Sequence, residues 1–205
     1  MSSWRDALLR LRRALEAVIA VEAKDDVALA AEVERVVARL ARVPDLAPAR
    51  ARPSDHPLTG RLEPSIAAVA AHFPDLAAAL APIADDLPWR YGYAPRADRP
   101  RLEDMMGWAE IVGPEAPFRS GEVCLGLTFI AAGTVYPAHR HPAIELYRVI
   151  AGRPVWTVAG RTFRPHPGDA ILHAGNVDHA MTGGAEGLLA VYAWTGDVVS
   201  PSVWA

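Results

Sequence analysis

Apolar residues recur at helical spacing through the first part of the chain and at strand spacing through the rest, and the change falls near Trp89. Leu8, Leu11, Leu15 and Val18 return every three or four residues, the stripe of an amphipathic helix. Ser3, with Asp6 three positions on, predicts a capping box at its start. A second stripe runs through Leu29, Val33, Val36 and Leu40; Asp26 is placed to cap it and Pro44 to end it. The stretch LAPARARPSDHPLTG, rich in proline and arginine, reads as a loop. A third helical region carries Ile66, Val69 and Phe73, and a fourth follows Pro74. Such stripes are packing surfaces, so these helices should cover one side of the remaining structure or build a dimer contact.

Beyond Trp89 come short apolar pieces, VCLGLTFIAAG, IELYRVIAG, PVWTVAG, DAILHAG and LLAVYAW, parted by Gly, Pro and Asn turns. That pattern predicts an antiparallel β-barrel or jelly roll. Gly160 marks a hairpin and Gly168-Asp169 a turn. Strands closed on themselves enclose a cavity lined by inward residues. No internal repeat is visible, so one barrel is expected. The chain is therefore read as mainly β, with a helical region over residues 1–88 packing on a barrel over residues 89–205.

The run GTVYPAHRHPAIELYRVIAG, from Gly133 to Gly152, holds the densest chemistry. On an extended chain, residues two apart share a face, so His139 and His141 point the same way. Glu145 returns to that face if the strand continues, and Tyr147 does too. Imidazoles with a carboxylate suit a divalent ion such as Zn, Fe(II), Mn, Ni or Co, with positions left open for water or substrate. A fourth ligand should lie downstream, where His166, His173 and His179 are within reach. His166, between prolines in RPHPGD, reads as a solvated loop residue; His173 and His179 bracket the short turn AGNVD.

Gly133, His139-x-His141, Glu145 and Gly152 together resemble the first motif of the cupin superfamily, and Gly168 with His179 resemble the second. Ala174 and Asn176 stand where that second motif usually has proline and glycine. The wider pattern is similar to the cupin-type dimethylsulfoniopropionate (DMSP) lyases. It comprises Tyr136-x-x-His139-x-His141-x-x-x-Glu145-x-Tyr147, then Gly152 and Trp156, then RTFRPHPGDAILHAGNVDHAMT. The resemblance is strongest over the second half of the chain. It implies a single cupin barrel and one divalent ion (Fe, Zn, Mn or Ni) held by His139, His141, Glu145 and His179. It also implies two tyrosines, Tyr147 and Tyr136, flanking a small-molecule substrate.

The chemistry of such residues supports that expectation. Elimination from a 3-substituted propionate removes a weakly acidic proton beside the carboxylate, and a cation on the carboxylate lowers that cost. A phenol close to the cation becomes a usable base near neutral pH. Tyr147, in phase with Glu145, is the first choice of base. Tyr136 is the second, since it is out of phase with the histidines unless a bend at Pro137 re-aims it. A sulfonium leaving group suits aromatic faces; Trp194 and Tyr192 are taken as substrate contacts and Trp156 as core. The phase argument turns Arg140 and Arg148 away from the site. The expected reaction is cleavage of DMSP to dimethyl sulfide and acrylate. Its alternatives are another cupin enzyme, a dioxygenase or isomerase acting on a small carboxylate or sugar, and a non-catalytic metal-binding or ligand-sensing cupin.

Composition narrows the setting. At 205 residues the chain can bury a proper core. Its 51% apolar content lies in short pieces, none able to span a bilayer. The charged start MSSWRDALLRLRR lacks the apolar core of a signal peptide. Cys124, the single cysteine, reads as buried and inert. A net charge of -3 gives no reason to expect nucleic acid. A cytoplasmic protein with no membrane partner is expected, with a homodimer as the default assembly.

Overall fold

The first helix, α1 (Trp4–Ile19), begins at the predicted cap in this computed structural model, which describes residues 3–23, 25–46 and 55–205. Ser3 Oγ accepts from the Asp6 amide at 3.2 Å, and Asp6 Oδ2 accepts from the Ser3 amide at 3.2 Å. Two donors that no helical carbonyl could serve are thereby satisfied. Leu8, Leu11 and Leu15 are fully buried, and Ile19 rather than Val18 completes the stripe. Helix α2 (Val27–Leu40) starts where Asp26 Oδ1 accepts from the Leu29 amide at 3.0 Å. Of the proline-rich stretch read as a loop, residues 47–54 lie outside the described residues, and Pro57–Arg61 form a 3-10 turn that buries Leu58. Two short helices follow, α3 (Glu63–Val69) and α4 (Pro74–Leu80), each with proline in its first turn. Among the described residues no helix is long and apolar enough to cross a membrane.

The strands are β1 (Trp89–Arg90), β2 (Met106–Gly113), β3 (Phe118–Arg119), β4 (Val123–Ile130), β5 (Val135–Arg140) and β6 (Ile144–Gly152). They continue as β7 (Val155–Val158), β8 (Arg161–Phe163), β9 (Ala170–His173), β10 (His179–Thr182), β11 (Leu188–Thr195) and β12 (Val203–Trp204). One sheet runs β1-β2-β4-β11-β6-β9, with β3 parallel beside β2; the other runs β12-β5-β10-β7-β8. The two face each other as a cupin-type barrel. Ala159 and Gly160 both adopt positive φ between β7 and β8, the geometry of a tight hairpin turn.

Alternation along β6 explains how the layers stack. Tyr147 and Val149 join the barrel interior, whereas Leu146 and Ile150 join the core shared with the helices. The larger sheet is thus buried on both faces, with Leu11, Val36 and Val69 of the helices packed in the same core as Leu125, Leu127 and Val191. Arg148 alternates away from the barrel interior and is half-buried. Arg140 is exposed and paired with Asp178 at 3.1 Å. Cys124 is fully buried inside the barrel.

Candidate metal centre and cavity

Strand register gathers the polar residues. His139 of β5 lies opposite His179 of β10. Glu145 of β6 lies between two partners, His173 of β9 and Trp194 of β11, and Tyr147 lies opposite Tyr192. Between β5 and β10 the register slips, so that Met181 opposes Tyr136 rather than Pro137. The extra residue in β5 is a bulge, and it turns Tyr136 back towards the histidines. The Tyr136 ring stacks on His139 with centroids 3.9 Å apart and planes 13° from parallel.

Three histidines share one device. His139 Nδ1 lies 2.9 Å from the Pro137 carbonyl, His141 Nδ1 3.1 Å from that of Ala143, and His179 Nδ1 2.9 Å from that of Val177. A carbonyl only accepts, so each Nδ1 carries a hydrogen, and in the neutral ring Nε2 is left with its lone pair. Outer hydrogen bonds of this kind orient metal-ligating histidines. His141 Nε2 lies 3.1 Å and His179 Nε2 3.4 Å from Glu145 Oε2, all of them buried. Burial alone would lower His141, but Glu145 raises it, so without a cation that ring is drawn to take a second hydrogen and donate it to the carboxylate. His179 Nε2 is buried with no hydrogen-bond partner among the described residues. Burial by itself would raise the Glu145 carboxyl, but His141 and the other imidazoles around it hold it well below the usual carboxylate range. Burial, helped by His179, pushes His139 well below the usual histidine range and so favours its neutral form.

An orphaned lone pair aimed at a buried carboxylate is relieved by a cation between them, and this donor set fits a divalent ion. The ligand atoms of His141, Glu145 and His179 all lie within 4.8 Å of one another. His139 stands outside that triad, although its ring centroid is only 4.0 Å from that of His179. His166 is exposed and contacts Arg153. His173 is fully buried, and its Nε2 receives the Trp156 indole N–H at 3.0 Å. That nitrogen is therefore not free to ligate.

The tyrosines and tryptophans take up distinct positions. The Tyr147 hydroxyl is 3.4 Å from Thr128 Oγ1. Burial, with Glu145 adding to it, pushes the Tyr147 phenol well above its ordinary value. The Tyr136 hydroxyl makes a short contact with that of Tyr93, and burial raises Tyr136 as well. Trp156 is core, as expected. Trp194, expected as an aromatic contact for substrate, donates its indole N–H to Glu145 Oε1 at 2.7 Å and lays its ring 4.2 Å from that of His141. It still lines the cavity, as does the buried Tyr192.

The cavity measures about 350 Å³, and its walls include Tyr93, Trp108, Tyr147, Tyr192 and Trp194 beside the His/Glu cluster. Tyr93 and Trp108 were not among the residues expected from sequence. Tyr93 comes from the loop after β1 and stacks on Trp204 of β12 at 4.0 Å. The aromatic run WRYGY was the only local signal for it.

Barrel and cluster together define a cupin-type protein with a buried His/Glu centre opening on an aromatic cavity. Residues 13–190 match the dimethylsulfoniopropionate lyase family, and the chain belongs to it. It is 36% identical over 122 residues to a Cereibacter sphaeroides protein provisionally assigned as the DMSP lyase DddL, covering 58% of this chain and 50% of that one. It is 31% identical over 94 residues to the DMSP lyase DddQ of Ruegeria pomeroyi, covering 45% of this chain and 47% of that one. The chain thus spans about half the length of the curated relatives it matches. The crystal structure of DddQ from Ruegeria pomeroyi DSS-3 superposes with a TM-score of 0.70 at 26% identity, over 94% of this chain and 96% of that one. A chain from the crystal structures of the DMSP lyases RdDddP and RnDddQII shares the fold, with a TM-score of 0.79 at 24% identity and 98% coverage of both.

Proposed function

We propose that this protein is a metal-dependent carbon–sulfur lyase that cleaves dimethylsulfoniopropionate to dimethyl sulfide and acrylate. The observation that carries the reading is a phenol, Tyr147, lining an aromatic cavity two residues from the buried carboxylate of a His/Glu cluster. Family membership supports the substrate. His139, His141, Glu145 and His179 would hold one divalent ion, Fe, Zn, Mn or Ni. Bound there, the ion supplies positive charge that steadies charge developing on the substrate carboxylate and favours the Tyr147 phenolate.

Tyr147 acts as the base. Its oxygen takes a proton from the carbon next to the carboxylate, and the electron pair left behind forms the new carbon–carbon double bond. The bond from the β-carbon to sulfur breaks with its pair going to sulfur, which leaves as neutral dimethyl sulfide, and the proton stays on Tyr147. The barrel wall around Glu145 is buried, so a substrate that fills the cavity would displace the water that competes for that proton. Aromatic faces of Tyr192, Trp194, Tyr93 and Trp108 suit the sulfonium cation. Tyr136, clamped between His139 and Tyr93, orients the histidine side of the cavity and is the reserve base. The same reading takes the enzyme as cytoplasmic and homodimeric; sedimentation of the purified protein as a monomer would remove the dimer from it.

The test is dimethyl sulfide in the headspace above metal-stripped protein given DMSP, after separate reloading with Mn, Fe(II), Zn and Ni. Release is expected only after reloading, at about one to a thousand turnovers per second. It should vanish in His141→Ala. Metal-loaded protein that releases no sulfide would overturn the assignment.

A further inference from the structure

We infer that His173 is a positioning residue for Glu145, locked by Trp156 into the one tautomer that can hold the carboxylate towards the metal site. The inference rests on the metal-centre reading above, and it concerns a histidine that reading leaves without a task. His173 is fully buried, lies directly across the β6–β9 ladder from Glu145, and sits with Nδ1 3.0 Å from Glu145 Oε2. Its other nitrogen, Nε2, lies 3.0 Å from Trp156 Nε1.

An indole N–H only donates. His173 Nε2 must therefore be the acceptor, and its hydrogen resides on Nδ1, facing Glu145. A doubly protonated ring would set N–H against N–H at Trp156, so the contact also holds His173 neutral. This is the opposite arrangement to His139, His141 and His179, whose Nδ1 hydrogens go to backbone carbonyls and whose Nε2 lone pairs face inward. With all four rings neutral, as a bound cation requires of its ligands, three imidazoles present acceptors to the centre and one presents a donor. The second carboxylate oxygen, Oε1, is held by the Trp194 N–H at 2.7 Å. Glu145 is thus pinned at both oxygens by neutral donors from the strands on either side, β9 and β11, with Oε2 retaining a lone pair for a cation. Neutral donors fix the carboxylate without cancelling its charge, as a cationic partner would.

The role is read out by metal affinity, measured by competition with a chelator using Co(II), together with the visible spectrum of the bound Co(II). His173→Ala should weaken Co(II) binding by about 10–100-fold, the usual cost of losing an outer partner of a ligand, and should shift the spectrum. His173→Asn, whose amide N–H stands close to the lost Nδ1–H, should recover most of the affinity. Trp156→Phe, which keeps an aromatic ring but removes the N–H and so frees the tautomer, should fall between wild type and the alanine variant. Apo-protein melting temperatures identify loss of packing: a purely structural histidine would lower them in all variants and leave Co(II) affinity alone. Affinity in folded Trp156→Phe equal to wild type, in His173→Ala within twofold of it, or in folded His173→Asn no better than in His173→Ala, would overturn the inference. Wild-type protein that binds no Co(II) would instead overturn the metal centre beneath it.

Discussion

Tyr147 and Glu145 lie on the same face of one strand, yet the proposed reaction gives them different work. Replacing the phenol should remove the base and spare the ligands. Tyr147→Phe is expected to keep full metal content and to lose elimination by at least the 10²–10⁴-fold that a positioned base contributes. Elemental analysis beside the headspace assay checks it, and loss of metal would make the tyrosine a ligand instead. His179→Ala should do the reverse, emptying the centre by removing the lone pair that has no other partner. At this scale much was legible. His139 with His141, and Glu145 with Tyr147, follow from counting two along an extended chain, and His179 from the resemblance. The strand expected to join the two pairs instead ends at Arg140 and resumes at Ile144 in the other sheet, which brings Glu145 to the histidines from the facing wall. The parts that counting could not reach depend on pairing between distant strands: His173 meets Glu145 only through the β6–β9 register, and Trp194 meets it only through β6–β11. Trp194 was expected to present its face to substrate, and the cross-strand register gives its N–H to the carboxylate as well.

The elements show the same division between local and distant causes. The caps at Ser3 and Asp26 were readable because capping is decided within four residues. Strand β2 gave no such signal: Ile111 is buried beneath the helices while Glu110 faces the barrel, so apolar and polar positions do not mark one solvent face. The β5 bulge, by contrast, was foreshadowed by Pro137, which cannot donate to a ladder. Helix α2 is tied to the barrel by Glu32, whose buried carboxylate accepts from the Thr195 hydroxyl of β11 and pairs with Arg35. Glu32→Ala leaves that fully buried hydroxyl without its partner and should cost about 1–3 kcal/mol in urea unfolding. An unchanged midpoint would mean the tie is not a stabilising one. At Gly152, φ is +86° and an added Cβ would lie 2.2 Å from the Gly187 carbonyl oxygen. Gly152→Ala should therefore destabilise the protein by about 1–3 kcal/mol or more.

For the whole molecule we propose that the helical region of residues 1–88 covers the barrel of residues 89–205 and does not fold apart from it, because one apolar core spans both. A single unfolding transition seen alike by far-ultraviolet dichroism and tryptophan fluorescence is expected; two separated transitions would divide the chain. Metal should raise stability by mass action, by about 4 kcal/mol at a free concentration a thousandfold above Kd, and stripping it should lower the melting temperature. The aromatic cavity is itself a product of the whole fold, since Tyr93, Tyr147 and Trp194 come from widely separated stretches of chain and only the closed barrel brings them to one wall.

The central claim is that this site performs an elimination. The most direct measurement follows dimethyl sulfide, acrylate and dissolved oxygen together while metal-loaded protein consumes DMSP. Elimination yields sulfide and acrylate in equal amounts with no oxygen consumed. Oxygen uptake in step with substrate loss, or substrate loss without sulfide, would contradict it and assign the same His/Glu centre to a different reaction.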